Sequence, residues 1–577
     1  MADKFIKHRS GLITTTTQCP PRLRALPGLL CLGVVLTALP AIAQTPPLER
    51  SEVSRDRPRQ ICVERFTFEG NTVISDRQLN RAIWKTLDIS PAPQGCATLS
   101  FEQIVRARGA VTQEYIDRGY LTSGAYIPAQ QEVAVDGGVV EMQVLEGSLQ
   151  DIRVEGNQHL SDRYIVSRLN VAEAGPLRQD ELVESLQLLR LDPNIDSVQA
   201  EVMAGSQPGT NILDVRVNEA NPFQFGVTLD NNRSPSAGSF RRNATASYSN
   251  LFGIGDRLSA SYTNTDGSNE LDASFRVPVN PDDGTVSLQY RSARSEVVED
   301  PFTPLDILAT YRSFEVGFRQ PFRRFVTRND QAVMQEFALG FSFDRQESET
   351  SILGMDFPLS PGADEDGNTD ISALRFSQEW TQRSWKEVLA ARSEFSLGVG
   401  WFDATVNDEA PDSRFFAWRG QFQFLRRLGQ IQGGLRAAPS VLLRSDVQLA
   451  SRALLPLEQF SVGGQHTVRG YRQNALLTDN GVLASAELWL PVWRWEQQQG
   501  VLSVVPFVDV GTGWNGSGND DPDPGTLVGA GLGLLWQQGD TFRARLDWGI
   551  PLVDIDTGDE DTWQENGVYF TVEFDPF

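Results

Sequence analysis

The chain is predicted to be a β-barrel membrane protein: a C-terminal, sixteen-stranded, transmembrane antiparallel barrel preceded by two small α+β domains of order β-α-α-β-β. Three observations carry this prediction. They are the form of the final segment, the run of alternating segments after Asn221, and a motif before it that occurs twice.

The final segment runs Gly567-Val-Tyr-Phe-Thr-Val-Glu-Phe-Asp-Pro-Phe577. Counting back from Phe577, residues Phe574, Val572, Phe570 and Val568 fall on one side of a strand, because side chains alternate with period two. A closing barrel strand with an aromatic terminus has this form, and it is the expected assembly signal. Long apolar helices are missing after the N-terminal region, so a membrane crossing has to be made by strands closed on themselves.

About sixteen alternating segments follow Asn221, each near the length that spans a bilayer as a tilted strand. Phe337, Leu339, Phe341 and Phe343 face one way, with Ala338, Gly340 and Ser342 opposite. The apolar set is expected to meet lipid, and the small or polar set a wet lumen. With the first strand rising from the inner side, odd connections lie outside. Those from Asp344 to Asp370 and from Asp554 to Asn566 are long and acidic, whereas Asn250 to Asp256 and Gln537 to Asp540 are short inner turns. A large soluble β-sandwich is the competing architecture, but it has no need to end on an aromatic strand.

Ahead of the barrel, Glu69-Gly-Asn-Thr-Val-Ile-Ser-Asp-Arg77 recurs as Glu155-Gly-Asn-Gln-His-Leu-Ser-Asp-Arg163. Each copy follows a short alternating strand. Gly-Asn makes a turn, and Ser before Asp is a good helix N-cap. Helical stretches follow (76–87 and 101–118; 162–169 and 180–191), then two strands each (125–128 with 139–145; 197–203 with 211–217). The expected layout is a signal peptide over 1–43, a linker over 44–61, domains over 62–147 and 148–220, and the barrel over 221–577.

The formal charge is −24. That argues against nucleic acid as a partner, since phosphate binding needs a basic footprint. Arg22 and Arg24 precede the apolar run Leu29 to Leu39, and Ala41-Ile-Ala43 matches a small-residue cleavage site. Cleavage there leaves only Cys62 and Cys96, and two cysteines in an exported chain point to one disulfide. Two free buried thiols are the alternative.

Phe460-Ser-Val-Gly-Gly-Gln-His-Thr-Val468-Arg469-Gly470-Tyr471 forms part of a long eleventh connection, about 452–480. Here the chain resembles a known superfamily. Val468-Arg469-Gly470-Tyr471 is similar to the tip motif of the inward-folded loop in outer-membrane protein-assembly and two-partner-secretion transporters. The resemblance covers about Cys62 to Phe577. It implies two periplasmic POTRA domains before a sixteen-stranded barrel. The assembly-type relatives carry more such domains.

Elementary chemistry points to the same residue. A guanidinium inside a barrel keeps its charge and needs an acidic partner with several hydrogen bonds. On the thirteenth strand Phe507, Asp509 and Gly511 share a face, and a carboxylate belongs on the lumen side rather than in hydrocarbon. The family's arginine-to-aspartate lock then maps onto Arg469 and Asp509. Glu487, on the twelfth strand, is a further candidate lumen partner for loop arginines such as Arg472; an ordinary lumen carboxylate is the plainer reading.

Catalytic and metal signatures are sparse. Three histidines (His8, His159, His466) do not make a His-rich metal site, and neither a Walker loop nor a Gly-x-Ser-x-Gly elbow occurs. Asp364-Glu-Asp-Gly-Asn-Thr-Asp370 has calcium-loop flavour, but Thr369 and Arg375 stand where that loop needs glycine and glutamate. No cofactor, metal or enzymatic role is expected. The resemblance implies a translocase that takes an unfolded, adhesin- or haemolysin-type exoprotein through its POTRA domains and exports it. The other expected partners are outer-membrane lipid and, through the C-terminal strand, the barrel-assembly machinery. Alternatives are a membrane-insertion factor and a passive porin. A plug helix before the first domain is not expected, because 44–61 contains Pro46, Pro47 and Pro58 with little amphipathic pattern.

Overall fold

The computed structural model describes residues 60–89, 95–129, 138–169, 175–327, 333–408, 411–429, 438–495, 499–516, 520–555 and 562–576. The expected signal peptide, nearly all of the linker, and Phe577 lie outside these residues. Contacts divide the chain into two compact units. One holds the chain up to Arg118 with Ser123–Leu145, the other Gly119–Thr122 with everything from Glu146.

In the first unit, β1 (Gln60–Glu69), α1 (Asp76–Leu87), β2 (Ala97–Ser100), α2 (Phe101–Asp117), β3 (Gly124–Tyr126) and β4 (Gly138–Leu145) follow in order. The sheet order is β2-β1-β4-β3. The unit thus has one strand more than the β-α-α-β-β pattern. Four residues are too few to show alternation, and β2 exists because it pairs antiparallel with β1 across Gln60↔Ser100 and Cys62↔Thr98. A Cys62–Cys96 disulfide ties β1 to the residue just before β2, with Cα atoms 5.3 Å apart. Ser100 caps α2: its hydroxyl accepts the Gln103 N–H while the Gln103 side chain accepts the Ser100 N–H.

The second unit opens with β5 (Ser148–Glu155), α3 (Asp162–Leu169), α4 (Gln179–Leu189), β6 (Ile195–Ala204) and β7 (Thr210–Glu219). The sheet order is β5-β7-β6. Tyr164, Ile165 and Leu169 of α3 and Leu182 and Leu189 of α4 bury against Leu213, Val215 and Val217 of β7. Each such aliphatic side chain contributes about 1.5–3 kcal/mol by leaving water.

The repeated motif has one geometry in both copies. Asn71 donates to Ile74 O and Asp76, and Asn157 donates to Leu160 O and Asp162 in the same way. Gly70 (φ +85°) and Gly156 (φ +89°) sit so close to the sheet that a Cβ would lie 2.4 Å from Val144 O and Val217 O. Glycine is required there both for the left-handed backbone and for the approach.

Sixteen long strands close into the barrel. The first eight are β8 (Phe223–Asp230), β9 (Arg241–Ser249), β10 (Arg257–Asn264), β11 (Ser268–Pro278), β12 (Thr285–Glu296), β13 (Leu308–Thr327), β14 (Val333–Ile352) and β16 (Asn368–Arg383). The others are β17 (Glu387–Val399), β18 (Phe416–Arg427), β19 (Ser440–Ala450), β22 (Asn480–Trp495), β23 (Gly500–Trp514), β24 (Thr526–Gln538), β25 (Phe542–Pro551) and β26 (Val568–Phe574). A two-residue β15 (Met355–Asp356) folds back on the end of β14, and β26 pairs with β8 to complete the ring. Every long strand is antiparallel to its neighbours.

One expected loop is shorter than the sequence suggested. Asp344 to Ile352 belongs to β14, paired with β16 as far as Glu349↔Asn368. Alternate residues of this charged and polar run face the interior: Asp344 and Gln346 are buried there. In the calcium-like stretch, the Asp364 carboxylate accepts the N–H groups of Asp366 and Asn368 and so closes a turn. Outward faces are apolar, as Leu532, Leu534, Leu546 and Trp548 illustrate.

Within the second unit, the β5–β7 domain is fastened to the barrel's inner rim. The Ser161 N–H donates to Gly253 O, 2.9 Å away in the β9–β10 turn. Arg168 lies 3.5 Å over the Tyr164 ring and donates to Asp283 in the β11–β12 turn at 2.8 Å. The Tyr164 hydroxyl donates to Asp192 at 2.6 Å. Burial pushes both the Tyr164 hydroxyl and the Asp192 carboxyl up from their ordinary values.

Candidate functional site

The eleventh connection turns back into the barrel as a short ribbon. Its legs, β20 (Phe460–Val462) and β21 (Leu476–Thr478), pair antiparallel. Phe460, Val462, Val468, Tyr471 and Leu476 pack on Leu483 and Leu527 of the wall, forming an apolar cluster inside the lumen.

At the tip, Arg469 has a side-chain exposure of 0 %, as do Asp509 and Glu487. Its Nε donates to Asp509 Oδ2 at 2.7 Å, and a terminal nitrogen donates to Oδ1 at 2.8 Å. This is the two-pronged contact that a guanidinium makes best. The Arg469 backbone N–H and the Ser485 hydroxyl also donate to Asp509. Phe507 lies flat beneath the guanidinium, 3.4 Å away, and adds a cation–π contact in a dry setting. Gly511 leaves space for Val468: a Cβ there would meet its Cγ2 at 2.9 Å. Outward-pointing Val508 and Val510 alternate with these three wall residues.

Glu487 sits 2.9 Å from a terminal nitrogen of Arg469. Arg444 and Arg545 donate to it at 3.1 and 3.0 Å, and the Trp489 indole N–H at 2.8 Å. The expected pairing with Arg472 does not occur. Arg472 instead pairs with Glu299 at 2.8 Å and Glu565 at 3.3 Å.

Sequence reasoning missed Asp547, Arg444, Arg545 and Tyr569. Asp547 accepts from Arg545 at 2.7 Å and from the loop's Gln465 at 3.0 Å. Around the tip, Arg444, Arg469 and Arg545 therefore face Glu487, Asp509 and Asp547, three cations against three anions. Tyr569, on the final strand, accepts the Gly470 N–H at 2.9 Å and donates to Tyr471 O at 2.6 Å. Its inward phase opposite Phe570 was the available signal. The apolar partners Phe570, Val572 and Phe574 lie on the other face of β26.

A small-residue wall lets the loop lie this close. A Cβ at Gly549 would fall 2.6 Å from the Gly470 nitrogen, and one at Gly529 would fall 1.9 Å from Arg469 O. The arrangement is one of mechanical retention: a folded-in hairpin held to five adjacent strands by buried charge and backbone hydrogen bonds.

A family model described as haemolysin secretion/activation protein ShlB/FhaC/HecB matches residues 209–535, more than half of the chain. The chain belongs to this family. A second model, POTRA domain of ShlB type, matches residues 61–147. The outer membrane transporter CdiB of Dickeya dadantii (strain 3937) is 25% identical over 455 residues, which cover 75% of this chain and 74% of that protein. The heme/hemopexin transporter protein HuxB of Haemophilus influenzae (strain ATCC 51907 / DSM 11121 / KW20 / Rd) is 23% identical over 439 residues, 72% of this chain and 70% of that one.

Among solved structures, CdiB from Escherichia coli superposes with a TM-score of 0.63 at 22% identity, covering 92% of each chain. BamA from Haemophilus ducreyi lacking POTRA domains 1–3 gives 0.52 at 14% identity, covering 89% of this chain and 100% of that one. At such identities these two likenesses speak for the fold. As a ShlB/FhaC/HecB member, the chain is an outer-membrane translocase of two-partner secretion. Its barrel crosses the outer membrane and its POTRA domains lie in the periplasm, where they serve a secreted exoprotein.

Proposed function

We propose that the inward loop is the gate of this translocase and that Arg469, held by Asp509 over Phe507, is its bolt. Val468, Gly470 and Tyr471 seat it on the wall, and Gly511 makes room. One observation supports this most: a fully buried, charge-balanced cluster at the tip of a loop that folds back into the lumen. Such a cluster is expensive to build for stability alone, because burying ion pairs seldom outperforms burying apolar groups. It suits a part that must dock in one register and come away as a unit.

The cargo is a haemolysin- or adhesin-type exoprotein; a Serratia marcescens relative named hemolysin transporter protein ShlB, 28% identical over 203 residues (34% of this chain and 32% of that protein), supports that class. The cargo adds a strand to β6. Among the described residues β6 pairs only with β7, and it is longer than the other edge strands β2, β3 and β5. Main-chain hydrogen bonds would supply affinity and alternate side-chain positions choice. The apolar face of β26, with Phe570, Val572 and Phe574, is the signal read by the barrel-assembly machinery. Domain limits of 62–147, 148–220 and 221–577 fit this division of labour.

Arg469→Ala tests the reading. It should abolish export of the partner while the barrel still inserts in the outer membrane. Wild-type export from that variant would overturn the bolt.

A further inference from the structure

The tip is only one end of the loop. Before reaching it the chain crosses the other side of the lumen, where Leu454 and Leu455 bury against Ile371, Ala373, Phe415 and Ala417. A short 3-10 turn, Pro456–Glu458, then brings one carboxylate to the wall. Arg375 of β16 donates to Glu458 through both terminal nitrogens, at 2.5 and 3.1 Å, and Gln346 of β14 donates at 2.8 Å. Arg375 is itself positioned by Asp344 at 3.1 Å and Ser396 at 2.9 Å.

These contacts lie on the seventh to ninth barrel strands, whereas the tip is held by the twelfth to sixteenth. In a ring of sixteen the two walls face one another. The loop is thus a strut across the barrel, with a two-pronged guanidinium–carboxylate contact at each end. The charge polarity is reversed: the loop offers the cation at its tip and the anion at its base. Beneath the base lies a cavity of about 330 Å³, roofed by Leu457, Glu458 and Gln459 and lined by polar groups of strands five to eleven, among them Arg291, Glu315 and Arg419. An extended peptide needs a wall of this kind, since its backbone groups must find polar partners at every step.

We propose that Glu458 is a second fastening of the loop, and that its bond to Arg375 keeps this half of the lumen closed to an extended polypeptide independently of Arg469. The proposal rests on the reading of the loop as a gate. Each fastening closes one half of the lumen. The complete path opens only when both ends are free, so an incoming strand has to compete for two contacts of opposite charge.

Planar-bilayer recordings on the full chain test it, using Glu458→Gln, Arg469→Ala and the double variant. Glu458→Gln should raise conductance several-fold with Arg469 intact, and the double variant should exceed either single change. Arg375→Lys keeps the charge but gives up the two-pronged contact; it should reproduce the increase should Glu458→Gln fail to form a barrel. If Glu458→Gln or Arg375→Lys conducts like wild type while Arg469→Ala opens, the second fastening is wrong and the gate stands. If neither end matters, the gate reading falls with it.

Discussion

The Tyr569 hydroxyl stands between the Gly470 N–H, 2.9 Å away, and the Tyr471 carbonyl, 2.6 Å away. The last strand of the barrel therefore holds the backbone of the loop tip, while the twelfth and thirteenth strands hold its charge. Docking of the loop and closure of the ring are thus linked through one phenol, and β26 meets β8 in only a short ladder, Thr571↔Asp230 to Phe574↔Val227.

Tyr569→Phe keeps the ring and removes both hydrogen bonds. Two buried backbone groups then lack partners, at about 1–3 kcal/mol each. The loop should undock more often with the barrel intact, seen as faster labelling of a cysteine placed at Thr467. Unchanged labelling would show that the hydroxyl does not hold the tip.

Glu487→Gln leaves Arg444, Arg469 and Arg545 facing two anions. Removing one member of a buried ionic set costs about 3–5 kcal/mol. Heat-modifiable gel migration should report a less stable barrel, and combining it with Arg469→Ala should cost less than the two singles together, because the excess charge is relieved. Strict additivity in that cycle would deny the coupling.

At the inner rim, Arg168→Met cuts the contact to Asp283 but leaves the Tyr164 ring and the apolar core in place. The orientation of the β5–β7 domain on the barrel should become broader in spin-label distances between β6 and the rim. Binding of a cargo N-terminal fragment should stay at wild-type affinity while export slows several-fold. A parallel loss of binding would show that the cation supports the domain rather than its placement.

Acid should act on Glu219. Burial alone would push this carboxyl up, but the N–H groups of Leu160, Gln158 and His159 and the His159 ring outweigh it and hold it below its ordinary value. A lowered folded value means that the contribution to stability is present above the unfolded value of about 4.3 and fades as pH falls through the folded one. Acid unfolding of the β5–β7 domain should therefore begin at a lower pH than in a variant that lacks this carboxylate. Glu219→Gln should be less stable near neutrality, and its curve should lose part of the slope below about pH 4.3. Identical acid curves for the two proteins would remove Glu219 from the account.

Period-two patterning is a local property. It made the barrel strands, their lipid faces and the short inner turns readable along the chain, because every lipid-facing strand must hide polar groups on the other side. The doubled Glu-Gly-Asn motif was readable for a similar reason: Gly70 and Gly156, with Asn71 and Asn157, each solve a turn within a few residues. Arg469 and Asp509 could be named because the motif resemblance supplied a pairing that spacing alone does not contain. β2 was missed because four residues carry too little alternation, and the strand exists only through its partner β1.

Partnerships between distant residues were a different matter. Arg444, Arg545, Asp547 and Tyr569 look in sequence like any inward-facing polar group, and so does Arg375. Which carboxylate each one meets depends on ladder register and on where the ring closes, and both are set by all sixteen strands together. Which face of each segment avoids water, and where the chain turns, was legible along the chain, since both follow from side chains and their immediate neighbours. That Glu487 meets Arg469 and not Arg472, and that Glu458 grips the far wall, was settled by the folded cylinder, because Coulomb attraction and hydrogen bonding act over a few ångströms and its closure is what brings those groups within reach.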